Sequence, residues 1–171
     1  MANELVKSDL INTLENAKRP RVLVVGDVIL DRYLWGDVDR ISPEAPIPLV
    51  RVARQEHRLG GAGSVVTMLA ALGAEVNLAS AVGSDTNADV VRELFAGLDV
   101  QTAALVEVDD RPTTVKERFL GMAQSRHPQQ MIRVDYEDDK PLSAADAEQL
   151  LTRIERIMPS IDAILISDYN K

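Results

Sequence analysis

The run RVLVVGD, Arg21 to Asp27, constrains this chain more than any other segment. Val22 to Val25 are apolar without a break, the pattern of a strand buried on both faces, and such strands belong to parallel sheets. A parallel sheet needs helical crossovers that cover its faces, and the chain supplies segments for them. PLVRVAR after Pro48 reads as strand, GGAG at Gly60 to Gly63 opens the apolar helix SVVTMLAALG, and Gly73 ends it. EVNLASAV is a further strand, followed by an amphipathic helix with Val90, Val91, Leu94, Phe95 and Leu98 in register. Ser143 and Asp146 form a capping-box variant ahead of the stripe Ala147, Leu150, Leu151, Ile154, Ile157 and Met158. DAILISDYNK closes the chain as another strand of the buried type, and Ser8 is expected to cap a short N-terminal helix through Leu10, Ile11 and Leu14. The fold class is therefore α/β, a doubly wound sheet with helices on both faces.

Two segments break this pattern. TTVKERFLG and QQMIRVDYE alternate in polarity, as half-exposed strands do, and MAQSRHP joins them. They read as a β flap or lid added to the sheet, with lid strands expected at about 31–54 and 111–136. No repeat or linker divides residues 1–171, so one domain is expected. After Ile166 and Ser167 only Asp168 to Lys171 follow, with no crossover helix, as expected of the first half of a larger fold.

Composition narrows the function. Nineteen Lys and Arg against 27 Asp and Glu give a net charge of -8, which disfavours nucleic acid or an anionic membrane as partner. Any anionic substrate must be met by a few local cations. The chain has no cysteine, hence no disulfide, thiolate metal site or Cys nucleophile. MANELVKSDL has no signal-peptide run and no stretch approaches a membrane span, so a soluble, cytoplasmic protein is expected.

Ligands of open α/β sheets bind beyond the carboxyl ends of the strands, where Asp27 stands, with Asp31 four residues on. Their carboxylates suit sugar hydroxyls; alternatively, Asp27 caps the next turn and Asp31 is solvated. Gly60 and Gly61 let a ligand approach the backbone at a helix N-terminus, or simply allow tight helix packing. A Walker A loop is excluded by Ser64-Val65 after the glycines. A dinucleotide fingerprint is weakened by Val66 in place of the third glycine and by Ser80-Ala81 where an acid is required, so a nicotinamide-binding domain has little support. Lys116 and Arg118 share a strand face, and Arg133 lies on the neighbouring strand. They suit a phosphorylated ligand, or they only blunt sheet edges. Asp168 and Lys171 follow the last strand, at a ligand-facing position or in a strand-ending turn. His57 and His127 lack spaced metal partners, and Glu137-Asp138-Asp139 reads as a solvated loop.

Gly26 to Val52, GDVILDRYLWGDVDRISPEAPIPLVRV, closely resembles the opening of the heptose 7-phosphate kinases, members of the ribokinase-like (phosphofructokinase B-type) sugar kinases. The resemblance runs on through Gly60-Gly61-Ala62, the lid segments and SDYNK, from Arg21 to Lys171. It implies an α/β sandwich with a β lid that closes over the sugar and commonly helps to form a homodimer. It also implies transfer of the ATP γ-phosphoryl group, with Mg2+, to the anomeric hydroxyl of heptose 7-phosphate, in a pathway to ADP-heptose and lipopolysaccharide. Asp27, Asp31, Gly60 and Gly61 would then hold the sugar, and Lys116, Arg118 and Arg133 its phosphate. Asp168 and Lys171 would lie near the reacting centre. Ser64 stands where the family usually has Asn. The family's Gly-Ala-Gly-Asp motif, with its general base, is not found, nor are its ATP-binding strands, so the 171 residues alone are expected to lack kinase activity, with the base beyond Lys171. A non-catalytic sugar-phosphate-binding or lid-dimerising protein, and a related sugar kinase of other substrate, are the alternatives.

Overall fold

In a computed structural model, which describes residues 9, 11–13, 19–122 and 127–171, the strand-helix alternation builds two four-stranded sheets. Of the N-terminal helix expected from Ser8 through Leu10, Ile11 and Leu14, residues 9 and 11–13 are described and are helical; Ser8, Leu10, Leu14 and most of the MAQSRHP connection lie outside the described residues.

The first sheet has the order β5-β4-β1-β8, formed by β1 (Arg21–Gly26), β4 (Glu75–Gly83), β5 (Val100–Val108) and β8 (Ala163–Ser167). All three pairings are parallel. Leu23 and Val24 of β1 and Val76, Leu78 and Ala79 of β4 are fully buried, so the uninterrupted apolar runs are the central strands, covered on both faces. On one face sit α1 (Ala62–Ala71) and α2 (Thr86–Ala96), whose Val66, Val91 and Phe95 join Val22, Val24, Val76 and Leu78 in the main core. On the other, α3 (Ala144–Ile157) places Ile154, with Leu150 and Ile157, against Leu23 and Ala79.

The second sheet, in the order β3-β2-β6-β7, takes in the segments expected as lid strands, with different bounds, and keeps that name as a label. It comprises β2 (Val28–Ile41), β3 (Pro48–Gly61), β6 (Val115–Met122) and β7 (Gln129–Tyr136). The β2–β3 hairpin is antiparallel, β2 and β6 are parallel, and β6 and β7 are antiparallel. Only Asp27 separates β1 from β2, so the chain passes from one sheet to the other in a single residue.

Several expectations change. The helix bearing Val90 to Phe95 ends at Ala96, and Leu98 packs against the core from beyond it. Its cap is Asp85, whose carboxylate accepts from Ala88 N at 2.9 Å. Ser143 caps α3 as expected, accepting from Asp146 N at 3.1 Å, but Leu151 of the predicted stripe is 59% exposed. β8 was expected to be a buried strand, yet Ile164 and Ile166 are 50% and 74% exposed. It is an edge strand paired only with β1, so its apolar side chains lack the neighbours that cover β1 and β4.

Phe95 is 1% exposed inside the main core and Leu72 is 83% exposed at the end of α1. Phe95→Ala is expected to destabilise the chain by about 3–5 kcal/mol and Leu72→Ala by no more than about 0.5 kcal/mol. Urea unfolding of the two variants checks the difference.

Candidate functional site

The site grows from the crossing point between the sheets. Asp27 stands at the carboxyl end of β1, and its backbone is fully used: its N–H donates to Ser167 O at 3.1 Å and its carbonyl accepts from Ala62 N at 2.9 Å. The second contact brings the start of α1 against the strand end, which explains Gly61. Its φ is +56°, and a Cβ there would lie 2.3 Å from Asp27 O; only glycine takes that conformation without cost. At Gly60, a Cβ would fall 2.6 Å from Asp31 Oδ2. The two glycines thus bring the helix start and the lid onto the two predicted carboxylates.

Asp27 Oδ2 accepts backbone N–H groups from Tyr169, at 2.7 Å, and Lys171, at 3.2 Å. The carboxylate therefore organises the distant turn after β8 rather than, as the capping alternative expected, the turn next to it in sequence, while Oδ1 has no hydrogen bond to a described residue. Asp168 serves that same turn, accepting from Asn170 N at 2.8 Å. A small cleft of about 110 Å³ adjoins these groups, lined by Gly26, Asp27, Ser80, Arg111, Thr114 and Lys171 among others. Ser64 lies elsewhere. Its hydroxyl donates back to Gly61 O at 2.9 Å, and the residue lines an apolar groove with Leu59, Met68 and Leu94.

The lid cations meet on one face of the second sheet because the register aligns them. Asp31 pairs with Lys116 and Tyr33 with Arg118 across β2 and β6, while Lys116 pairs with Asp135 and Arg118 with Arg133 across β6 and β7. Each cation has a carboxylate. Arg118 Nη1 lies 2.5 Å from Asp31 Oδ1, both side chains being 18% exposed. Lys116 Nζ lies 3.0 Å from Asp135 and 3.3 Å from Glu137. Arg133 Nε lies 2.8 Å from Asp135, and Lys171 Nζ lies 2.7 Å from Glu137. Glu137, expected in a solvated loop, instead ties the lid to the end of the first sheet.

These contacts tune the carboxyls. Burial opposes ionisation of Asp135, but hydrogen bonds from Lys116 and Arg133 outweigh it and hold the carboxyl below its ordinary value. The Lys171 hydrogen bond, with Lys116 added, does the same for Glu137 against the pull of burial. Glu137 in turn raises the Lys171 ammonium.

Sequence reasoning missed the aromatic side of this face and the hub beneath it. Tyr33 and Trp35 stack at 6.4 Å between ring centroids. The guanidinium groups of Arg58 and Arg118 lie 5.0 and 5.2 Å from the Tyr33 ring, and that of Arg54 lies 4.8 Å from Trp35. The alternation Asp31, Tyr33, Trp35 was the available signal, since a period of two puts all three on one face. On the opposite face, Arg32 donates to His57 Nε2 at 3.3 Å, Glu117 at 3.1 Å and Asn87 of α2 at 2.5 Å. His57 is thus an acceptor within the second sheet, while Arg32 ties that sheet to α2 through Asn87; burial followed by Arg32 lowers the His57 pKa.

Among solved structures, the fold is that of sugar kinases. The chain aligns with a possible 1-phosphofructokinase from Thermotoga maritima at a TM-score of 0.63 and 19% identity, over 85% of this chain and 44% of that one. It aligns with Arabidopsis thaliana ribokinase, solved with ribose and ATP, at a TM-score of 0.56 and 17% identity, over 87% of this chain and 45% of that one. Residues 19–137 match the pfkB family carbohydrate kinases, and the chain belongs to that family. It is 46% identical to the D-beta-D-heptose 7-phosphate kinase of Bordetella bronchiseptica over 92% of this chain and 48% of that protein. It is 44% identical to the bifunctional protein HldE of a Nitratiruptor species over 90% of this chain and 32% of that protein. The chain spans between a third and a half of the length of these curated relatives.

The lid's ion pairs set a pH dependence. Carboxyls whose pKa is lowered by folding contribute stability above their unfolded values, and that stability is lost as pH falls through the lowered folded values. The raised Lys171 contributes below its unfolded value and loses its part as pH rises through the folded one. Thermal melting is therefore expected to hold a plateau between about pH 6 and 9 and to fall below about pH 4. Glu137→Gln should make the acid fall shallower; an unchanged acid limb would show that Glu137 adds nothing.

Proposed function

We propose that this chain is the sugar-binding and lid half of an ATP-dependent sugar-phosphate kinase that acts on heptose 7-phosphate at the anomeric hydroxyl. The observation that carries this reading is the convergence, at the carboxyl end of β1, of Asp27, the Gly60-Gly61 helix start and a lid whose Lys116, Arg118 and Arg133 face the same side. The family and the names of the longer relatives supply the substrate class. In this reading Asp27 Oδ1 accepts a sugar hydroxyl, since its partner oxygen is already bound by two backbone N–H groups.

The lid cations are preorganised, but by carboxylates rather than by a ligand. A phosphate dianion entering among them exchanges one anion for another: Lys116, Arg133 and Lys171 turn from Asp135 and Glu137 toward the ester. This exchange costs little because the cations are already gathered and partly desolvated.

Magnesium and nucleotide do not fit this chain by itself. No group of three or more His, Asp or Glu among the described residues could hold a metal ion, and the glycine run lacks the Lys of a phosphate-cradling loop. In this reading ATP and Mg2+ are held by other parts of a full-length kinase, and the 171 residues bind sugar phosphate without turning it over. In this reading the protein works in the cytoplasm, as the resemblance to the heptose kinases implies; no described helix is long and apolar enough to cross a membrane. It pairs into a homodimer through the lid, where Ile41, Val52 and Ile132 are 61%, 44% and 55% exposed.

Calorimetry with heptose 7-phosphate tests the reading. The chain should bind the ester, and Asp27→Ala should weaken it by roughly tenfold or more through the lost charge-assisted bond. Lys116→Ala should weaken the ester more than the unphosphorylated heptose. Equal losses for both sugars would make Lys116 structural, and an Asp27→Ala variant that binds as the parent does would remove the sugar site from the end of β1.

A further inference from the structure

The Asp27 cleft holds a second cation besides Lys171. Arg111 lines that cleft together with Lys171 and Thr114, and it also lines an adjoining cavity of about 210 Å³ beneath Asp138 to Ser143. Unlike Lys116, Arg118, Arg133 and Lys171, it forms no ion pair with any described carboxylate. Its Nη2 donates to two backbone carbonyls, Asp138 O at 3.0 Å and Lys140 O at 3.4 Å. Its Nη1 and Nε have no partner among the described residues. The nearby Asp138 carboxylate is occupied by Lys140, accepting from its backbone N at 3.0 Å and from its Nζ at 3.3 Å.

The support under Arg111 is rigid. Thr113 is fully buried; its N–H donates to Asp85 Oδ2 at 2.9 Å and its hydroxyl to Asp85 Oδ1 at 2.8 Å. Gly83 N donates to the Thr113 hydroxyl at 3.0 Å, and a Cβ on Gly83 would lie 2.5 Å from Arg111 O. On the other side, Leu30 N donates to Thr114 O at 2.8 Å. Burial works against the Asp85 charge, yet the donors from Thr113 and Ala88 outweigh it and keep the carboxyl below its ordinary value. An arginine on so fixed a loop, held by two carbonyls through Nη2 and with three of its five N–H donors unused, is preorganised for an anion rather than for a protein carboxylate.

We infer that Arg111 is an anion-binding specificity residue of the cleft, donating through its free Nη1 to the phosphate ester of the sugar substrate while Nη2 stays on the loop carbonyls. The inference rests on the sugar-phosphate reading above and adds to it a cation that need not be released from a carboxylate before it binds. Because its charge is in no ion pair among the described residues and feels Asp138 only through space, Arg111 discriminates a phosphorylated from an unphosphorylated sugar more sharply than the lid lysine does.

Calorimetry on the 171-residue chain with heptose 7-phosphate and with unphosphorylated heptose tests it, for the parent, Arg111→Ala and Arg111→Lys. Arg111→Ala should lose roughly ten- to a hundredfold in affinity for the ester and keep its affinity for the free sugar. Arg111→Lys, which keeps the charge but loses the paired donors, should fall between. Thermal melting of each variant reads the loop tether separately. An Arg111→Ala variant that keeps the parent's preference for the ester overturns the inference and leaves the sugar-phosphate reading standing. So does one that loses both sugars equally with a lowered melting temperature, which makes Arg111 a staple of the 138–140 loop. A parent chain that binds neither sugar overturns both.

Discussion

Asp27 is the residue on which the two sheets turn. Its N–H is held by β8, its carbonyl by the first N–H of α1, and its carboxylate by the turn after β8, while β1 ends before it and β2 starts after it. Two segments distant in sequence, the start of α1 and β8 with its following turn, meet the β1–β2 junction on one residue, so the lid, the helix start and the terminal turn are set relative to one another by hydrogen bonds rather than by apolar packing alone. That explains why the charged groups of the lid arrive over the carboxyl end of β1 and not elsewhere. It also explains the two glycines, since a side chain at Gly60 or Gly61 would collide with Asp31 or with Asp27 itself.

The lid adds a second principle, charge held in balance. A chain of net charge -8 gathers four cations near one strand end and gives each a carboxylate. Surface pairs of this kind add little to stability; their value lies in keeping guanidinium and ammonium groups oriented and partly dry. Glu137 matters most here because it reaches Lys116 on the lid and Lys171 beyond β8 at once. In the proposed reading, an anion entering between lid and sheet competes with Glu137, so that occupancy and the coupling of lid to sheet form one equilibrium.

Much of this fold was legible because burial on both faces leaves an uninterrupted apolar run. Val22 to Val25 and the β4 segment announced themselves that way, as did the lid strands β6 and β7 by alternation. β2 was harder to see: it carries Asp31, Arg32, Gly36 and Asp37, and its strand character comes from pairing with β3 and β6 rather than from its own pattern. β8 misled in the other direction, since Ile164 and Ile166 read as buried while an edge position leaves them open. The positions of Asp27, Asp31 and the lid cations were visible as residue types. Their partners were not, because Lys116 finds Asp135 only through strand register and Arg111 finds its carbonyls only through a loop 27 to 29 residues away.

In the proposed function the ligand sits where the sheets cross. A crystal structure of the chain with bound heptose 7-phosphate measures that most directly. It should show a sugar hydroxyl within hydrogen-bond reach of Asp27 Oδ1 and the ester between the lid and the 111–114 loop, with Glu137 displaced from at least one lysine. A sugar bound on another surface, with every carboxylate pair of the lid intact, would contradict it.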